Sequence, residues 1–347
     1  MLSVVIPATD APPTLDRCLA ALEHSDERLE VDIVGEPAGA GPATARNRGA
    51  ARASGAIVAF VDADVAVHPD ALRRLREALE ADHGLDAAFG AYDQRPVEQA
   101  LVSRFRNLLH HHVHVSCPGP ATTFWAGLGA IRRDAFESAG GFDEGRYARP
   151  SIEDVELGMR LSAAGARIEL VPGARGTHLK RWTLRSMLRT DFAARGVPWV
   201  ALMLERGSVS RALNLGRRQR LAAAAAVLTA TAAAARRPRL AALALLAMVA
   251  PNARFYALLA RRGGPALVLA GVPLHLAHHL AAAAAVPAGL VLWISRGRPA
   301  GTARSRPATI RAGRPDEIRP RGPAPIRAGR PEGPRPRGPA RVRRGRS

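Results

Sequence analysis

At 347 residues the chain has room for one full domain and more, and its formal net charge of +20 is far from balanced. Its two cysteines, Cys18 and Cys117, are too few for a disulfide framework and suit a reducing compartment. The opening MLSVVIPATD carries neither a basic n-region nor a cleavable apolar stretch, so a secretory precursor is not expected.

In chain order, Ser3–Ile6 reads as a first strand, and Leu15, Cys18, Leu19 and Leu22 fall on one face of a helix. Val31–Val34 is a second strand, 43–53 a helix, Ile57–Val61 a third strand and 69–80 another helix. Alternating strands and helices predict an α/β sheet, with ligands at the carboxyl ends of its strands. The third strand is an apolar run, as buried strands are, and ends in VDAD. Asp62 and Asp64 therefore lie at a sheet edge, where two carboxylates can hold a hard divalent ion or simply form a solvated turn. Glu153 and Asp154 open a helix over 153–164 with Leu157 and Leu161 on its buried face, and first-turn acids also serve as dipole partners.

Beyond residue 183 the pattern changes. Leu184, Met187, Leu188, Phe192, Trp199 and Leu202 read as amphipathic segments lying on a membrane. Three uncharged runs follow, Leu221–Ala235, Leu240–Ala250 and Pro265–Ile294. The last is long enough to span a bilayer, with kinks expected at Pro273 and Pro287. The first two are short and would pair as a hairpin turning at Arg236–Arg239. His275, His278 and His279 share one helical face, suited to a structural hydrogen bond or a lipid-phosphate contact.

Residues 296–347 hold sixteen arginines against Asp316, Glu317 and Glu332, which is +13 of the +20. The tail is Pro-, Gly- and Arg-rich and repeats IRAGRP and RPRGPA without any apolar face, so disorder is expected. It would solubilise the chain or bind anionic headgroups. No aromatic residue interleaves its arginines, which argues against nucleic acid as a partner.

Five blocks in the first 205 residues, SVVIPATD, GPATARNRGAARASGAIVAFVDADV, FWAGLGAIRRDAFESAGGFDE, PSIEDVELGMRL and THLKRW, resemble those of the family 2 glycosyltransferases in their order. The resemblance implies an A-type, Rossmann-like α/β fold with a mixed sheet over 1–210. Membrane-associated helices with two or three spans would occupy 211–295, and the tail 296–347. It implies that Pro7 and Ala8 meet the base and ribose of a nucleotide-sugar donor, with Arg46 beside the nucleotide. Asp62 would face the ribose, while Asp64 would ligate Mg²⁺ or Mn²⁺ on the diphosphate. Asp154, the second acid of its pair, would be the catalytic base, with Glu153 on the acceptor or diphosphate side. Asp143 would contact the acceptor or form a turn.

HLKRW resembles the Gln-x-x-Arg-Trp block of membrane-bound synthases, with His178 standing for Gln. The resemblance implies metal or diphosphate binding by His178, phosphate neutralisation by Arg181, and sugar stacking or interfacial anchoring by Trp182. Two features depart from the family. Gly35-Glu36-Pro37 replaces the usual acidic stretch after the second strand, leaving Glu36 as the candidate base-reading acid. His110, His111, His112 and His114, followed by Cys117, have spacing that permits a transition-metal site, but no second ligand cluster accompanies them. They fit a helix or loop near the acceptor entrance.

The implied function is a membrane-associated inverting transfer of sugar to a lipid, polyprenyl or glycan acceptor, on the cytoplasmic face of the cell membrane. A polysaccharide synthase with export and a non-enzymatic protein binding membranes or anionic surfaces are the alternatives.

Overall fold

A computed structural model describes residues 1–116, 118–207 and 216–296, together with the backbone of 341–344. The chain opens with β1 (Leu2–Pro7), α1 (Leu15–Glu23), β2 (Leu29–Val34), α2 (Gly41–Arg52), β3 (Ile57–Val61), β4 (Val65–Val67), α3 (Ala71–Ala81) and β5 (Ala87–Tyr92). Next come α4 (Leu101–Val115), β6 (Gly119–Ala121), β7 (Leu128–Arg132), α5 (Arg133–Ser138), α6 (Glu153–Ala163) and β8 (Ile168–His178). After them stand α7 (Leu184–Arg189), a π-helical turn Thr190–Gly196 and α8 (Val197–Glu205). Three further helices, α9 (Arg217–Ala234), α10 (Pro238–Val249) and α11 (Ala253–Ser295), precede a short strand β9 (Arg341–Arg344).

The expected α/β architecture is present, and the sheet is mixed. Its order is β4-β8-β5-β7-β3-β1-β2-β9, with β6 added against β8. β1 runs parallel to β2 and β3, whereas β7 runs antiparallel to both β3 and β5. Strand alternation sends Leu2, Val4 and Ile6 of β1 to one face, against Cys18 and Leu22 of α1 and Leu72, Leu75 and Leu79 of α3. Val5 of β1 and Phe60 of β3 point the other way, into a core shared with Ala43 and Ala45 of α2 and Leu157 of α6. A strand covered on both faces must be apolar throughout, which accounts for the unbroken run that leads into Asp62.

The C-terminal helices dock on this domain through α4. Phe105, Leu108 and Leu109 of α4 pack with Trp182, Met187 and the α11 residues Phe255, Leu258 and Leu259. At the same junction a buried ion pair joins Arg106 Nη2 to Asp191 Oδ1 at 2.5 Å, and His278 Nδ1 lies 2.8 Å from Asp191 Oδ2. His275 Nδ1 meets the Tyr256 hydroxyl at 3.0 Å, so two of the three α11 histidines have protein partners. Burial alone would raise the Asp191 carboxyl, but His278 and Arg106 pull it down to about 2.

α9 and α10 form the expected hairpin, reversing at 235–237. The third run lies within α11, whose helical geometry breaks at Gly264, just before the run, where φ is 64°. The break falls there rather than at Pro273 or Pro287. Glycine alone takes a positive φ at no steric cost, and the residue before Pro265 is driven out of the α region. The stretch Pro238–Ser295 is long and apolar enough to cross a membrane, with a mean hydropathy of 1.5 and 39% of its most apolar window buried. Leu243, Leu246, Leu269, Val291 and Ile294 face outward. Within the tail, Arg341–Arg344 pairs parallel to β2, from Glu30↔Arg341 to Ile33↔Arg344, at a strand that is otherwise a sheet edge. For those four residues strand pairing replaces the expected disorder. The remaining tail expectations, and Cys117, lie outside the described residues.

Arg106→Ala would leave Asp191 buried with only His278 beside it, and stability should fall by roughly 3–5 kcal/mol. Denaturant unfolding of the full chain measures this, and a change below about 1 kcal/mol would contradict the buried pair.

Candidate active site

The carboxyl ends of β1 and β3 open onto a cleft of about 400 Å³, within the range of small-molecule sites. Its organising residue is Arg46 on α2, which is 3% exposed. Nη2 donates to Asp62 Oδ1 at 2.6 Å and Nη1 to Glu153 Oε1 at 2.9 Å, while the guanidinium lies 5.3 Å from the Phe142 ring centre. One cation thus ties the end of β3 to the first turn of α6. Asn47, one residue on, clasps the following turn. Its Nδ2 donates to the Phe142 carbonyl at 2.9 Å and its Oδ1 accepts from Phe142 N–H at 2.8 Å.

Asp64 faces a different neighbourhood. Antiparallel pairing of β4 with β8 sets Val65 opposite His178 and brings distant stretches of chain together. Asp64 Oδ2 lies 3.6 Å from His178 Nε2 and 4.0 Å from Lys180 Nζ. His178 is buried, stacks on Tyr92 with ring centres 4.3 Å apart, and places Nδ1 2.5 Å from Asn107 Oδ1. The contact of Nδ1 with Asn107 orients the ring so that Nε2 faces Asp64. Burial would raise the Asp64 carboxyl, but His178, Lys180 and Arg195 outweigh it and hold it below the usual carboxylate range.

Asp154 also lines the cleft. Its Oδ1 accepts from Val155 N–H at 2.8 Å and its Oδ2 from Ala126 N–H at 3.3 Å. Gly158 allows this approach, because a Cβ there would run into the backbone of Thr123 and Phe124. Burial first, then the Glu153 charge, pushes the Asp154 carboxyl up to about 6, against the pull of Arg46 and Arg195. Glu153 differs from its neighbour in being bound up, with Oε2 accepting from Ser151 N–H at 2.9 Å as well as Oε1 from Arg46.

The other predicted residues divide. Pro7 and Trp182 line the cleft. The Ala8 N–H is spent on the Val34 carbonyl, 2.9 Å away. Asp143 is exposed and folds a turn, accepting from Arg146 N–H through Oδ1 at 2.9 Å. Glu36 and Arg181 are exposed and lie outside the lining. Trp182 is buried, its backbone N–H donates to Ser103 Oγ at 2.8 Å, and its ring lies beneath Arg106 and Lys180.

The histidine run is helical, on α4. His110 and His114 line the cleft, whereas His111 Nδ1 donates to the Tyr92 carbonyl at 2.6 Å. Burial pushes His114 down to about 3 and His110 well below its ordinary value, so both are neutral at pH 7. No group of three or more His, Cys, Asp or Glu among the described residues forms a metal site, so the run makes none there.

Sequence reasoning missed Tyr92, Trp125 and Arg195, which line the cleft, and read Trp199, which lines it too, as part of a membrane-facing segment. Arg195 and Trp199 come from the π-helical turn and α8, where no local motif marks them.

Residues 31–140 match the model of the glycosyl transferase family 2. Two curated relatives, the pre-mycofactocin glycosyltransferases of Mycobacterium tuberculosis strains CDC 1551 and H37Rv, are each 30% identical over 171 residues. Those matches cover 46% of this chain and 34% of each relative, so the chain spans about a third of the length of the relatives it matches. Among solved structures, the chain is similar to the mannosyltransferase PcManGT from Pyrobaculum calidifontis in complex with GDP-Man and Mn²⁺. That likeness has 19% identity and a TM-score of 0.48, covering 85% of this chain and 87% of that one. It is also similar to residues 1–349 of S. aureus TarS, at 15% identity and a TM-score of 0.40, covering 85% and 90%. The family 2 model thus matches β2 to α5 of the mixed sheet whose strand ends carry the cleft, and over that stretch the chain resembles the glycosyl transferase family 2.

Proposed function

We propose that the protein transfers a sugar from a nucleotide-sugar donor to an acceptor hydroxyl, with inversion at the anomeric carbon. The observation that carries this reading is the division of four acids by Arg46. Asp62 and Glu153 are bound to the guanidinium, while Asp64 and Asp154, which also line the cleft, make no hydrogen bond to it. Asp154 takes the proton of the acceptor hydroxyl, its raised pKa bringing it close to the working pH of a general base. Asp62, held by Arg46, meets the donor's ribose.

Asp64 and His178 fit a divalent cation. A carboxylate oxygen and an oriented imidazole nitrogen converge, and two protein ligands leave the other positions to a diphosphate. When bound, Mg²⁺ or Mn²⁺ stabilises negative charge on the departing diphosphate, worth several kcal/mol.

The same chain segment that lines the cleft also carries exposed Leu184, Phe192 and Leu204, on elements that pack against α11. This supports a unit over 1–210 that works at a membrane, held there by helices within 211–295, and an acceptor carried by a lipid or polyprenyl chain. A cytoplasmic face of the cell membrane suits the donor, since nucleotide sugars are made in the cytosol.

Metal-dependent release of nucleoside diphosphate from a nucleotide sugar tests the reading. Chelation and Asp64→Asn should each abolish it, and full activity in Asp64→Asn without metal dependence would contradict it. Asp154→Asn should lower kcat by about 10²–10⁴ with donor KM little changed. The base acts only as carboxylate, so wild-type kcat/KM should rise with pH through about 6, and residual activity in Asp154→Asn should lack that limb. A wild-type profile flat from pH 5 to 8 would exclude Asp154 as the base.

A further inference from the structure

We propose that Arg195 is an anion subsite of the cleft that takes a phosphate oxygen during the reaction. The proposal rests on the glycosyltransferase reading and names a group that reading does not require. Arg195 lines the cleft, yet among the described residues it makes no ion pair with a carboxylate. Its one hydrogen-bond neighbour is His110, with Nη1 3.3 Å from Nε2. His110 is neutral by burial, so it orients the guanidinium without neutralising it. The charge acts on Asp64 and on Asp154 alike. A half-buried guanidinium between the two reactive acids, with donors uncommitted, matches a phosphate in charge and in fork geometry.

The segment that carries Arg195 is built to hold it. Thr190–Gly196 is a π-helical turn, a rare conformation that is frequent at functional sites. α11 clamps it at both ends. Asp191 is fixed by His278 and Arg106, and Gly196 lies so close to Ala285 that a Cβ would collide with it. Ser151 Oγ, at the mouth of the cleft, adds a hydrogen bond to the Ala194 carbonyl at 2.7 Å. The side chain is therefore aimed before ligand arrives, which reduces the entropy lost on binding. Arg181, expected from HLKRW to neutralise phosphate, is exposed and lies outside the lining, so Arg195 fills that role from elsewhere in the chain.

The phosphate belongs either to the donor's diphosphate or to a phosphate-bearing acceptor, and two binding arms distinguish them. Full-length protein in detergent is titrated calorimetrically with UDP and GDP in Mn²⁺, and separately with dodecyl phosphate without metal. Wild type is compared with Arg195→Ala and Arg195→Lys, whose folding is checked by circular dichroism and Tm. Arg195→Ala should lose affinity about tenfold to a hundredfold in one arm, the range for a hydrogen bond to a charged group, with Arg195→Lys intermediate. Loss in the nucleotide arm assigns the donor diphosphate, and loss in the dodecyl phosphate arm assigns the acceptor. Unchanged affinities in both arms, in folded variants, overturn the subsite, as does a wild type that binds neither probe. If wild type binds dodecyl phosphate through Arg195 but no nucleotide, the glycosyltransferase reading fails while the anion subsite stands.

Discussion

The site depends on one buried cation. Arg46 is almost wholly removed from water, and a guanidinium in that position is tolerable only with anionic partners. Asp62 and Glu153 supply them from the end of β3 and the start of α6, elements far apart in sequence. The pair of bonds fixes the distance between the two walls of the cleft. It also settles which acids remain available. Asp62 and Glu153 have carboxylate oxygens committed to the arginine, so on the proposed reading proton transfer falls to Asp154, which burial and the Glu153 charge have raised toward neutrality. Asp64 is held below the usual carboxylate range by His178 and its neighbouring cations against the effect of burial, as the proposed metal ligation requires.

A second constraint comes from the apolar helices. They are not appended loosely, because α11 shares a core with α4 and reaches the π-helical turn through the buried Asp191. Replacing either charge would leave the other stranded, whereas keeping all three couples the position of α11 to the far side of the cleft. The surface of these helices that does not pack on the domain remains apolar, so a membrane and the reaction chemistry would share one set of helices.

Much of this was legible in the sequence, and the reasons differ by element. VAFVDAD reads as a buried strand because both faces of β3 are covered, and Phe60 and Val61 leave no polar side to confuse the pattern. The hairpin of α9 and α10 was visible as two short apolar runs separated by arginines. The position of the helix break was not, since a proline inside a helix looks like a stronger signal than the glycine before Pro265. Asp64 and His178 could be linked only through family resemblance, because their meeting depends on the register of β4 against β8. Arg46 was expected beside the nucleotide, but its grip on Asp62 and Glu153 requires the folded chain. Arg195 had no signal at all. It enters the cleft only because α11 holds the turn that bears it.

The division of labour between Asp64 and Asp154 is the central claim, and nucleotide binding in the presence and absence of Mn²⁺ tests it most directly. Calorimetry with UDP and GDP on the wild type, Asp64→Asn and Asp154→Asn would separate the two acids. Metal-dependent affinity should survive in Asp154→Asn at close to the wild-type value and disappear in Asp64→Asn. Equal losses in the two variants, or binding indifferent to Mn²⁺ in the wild type, would contradict the division.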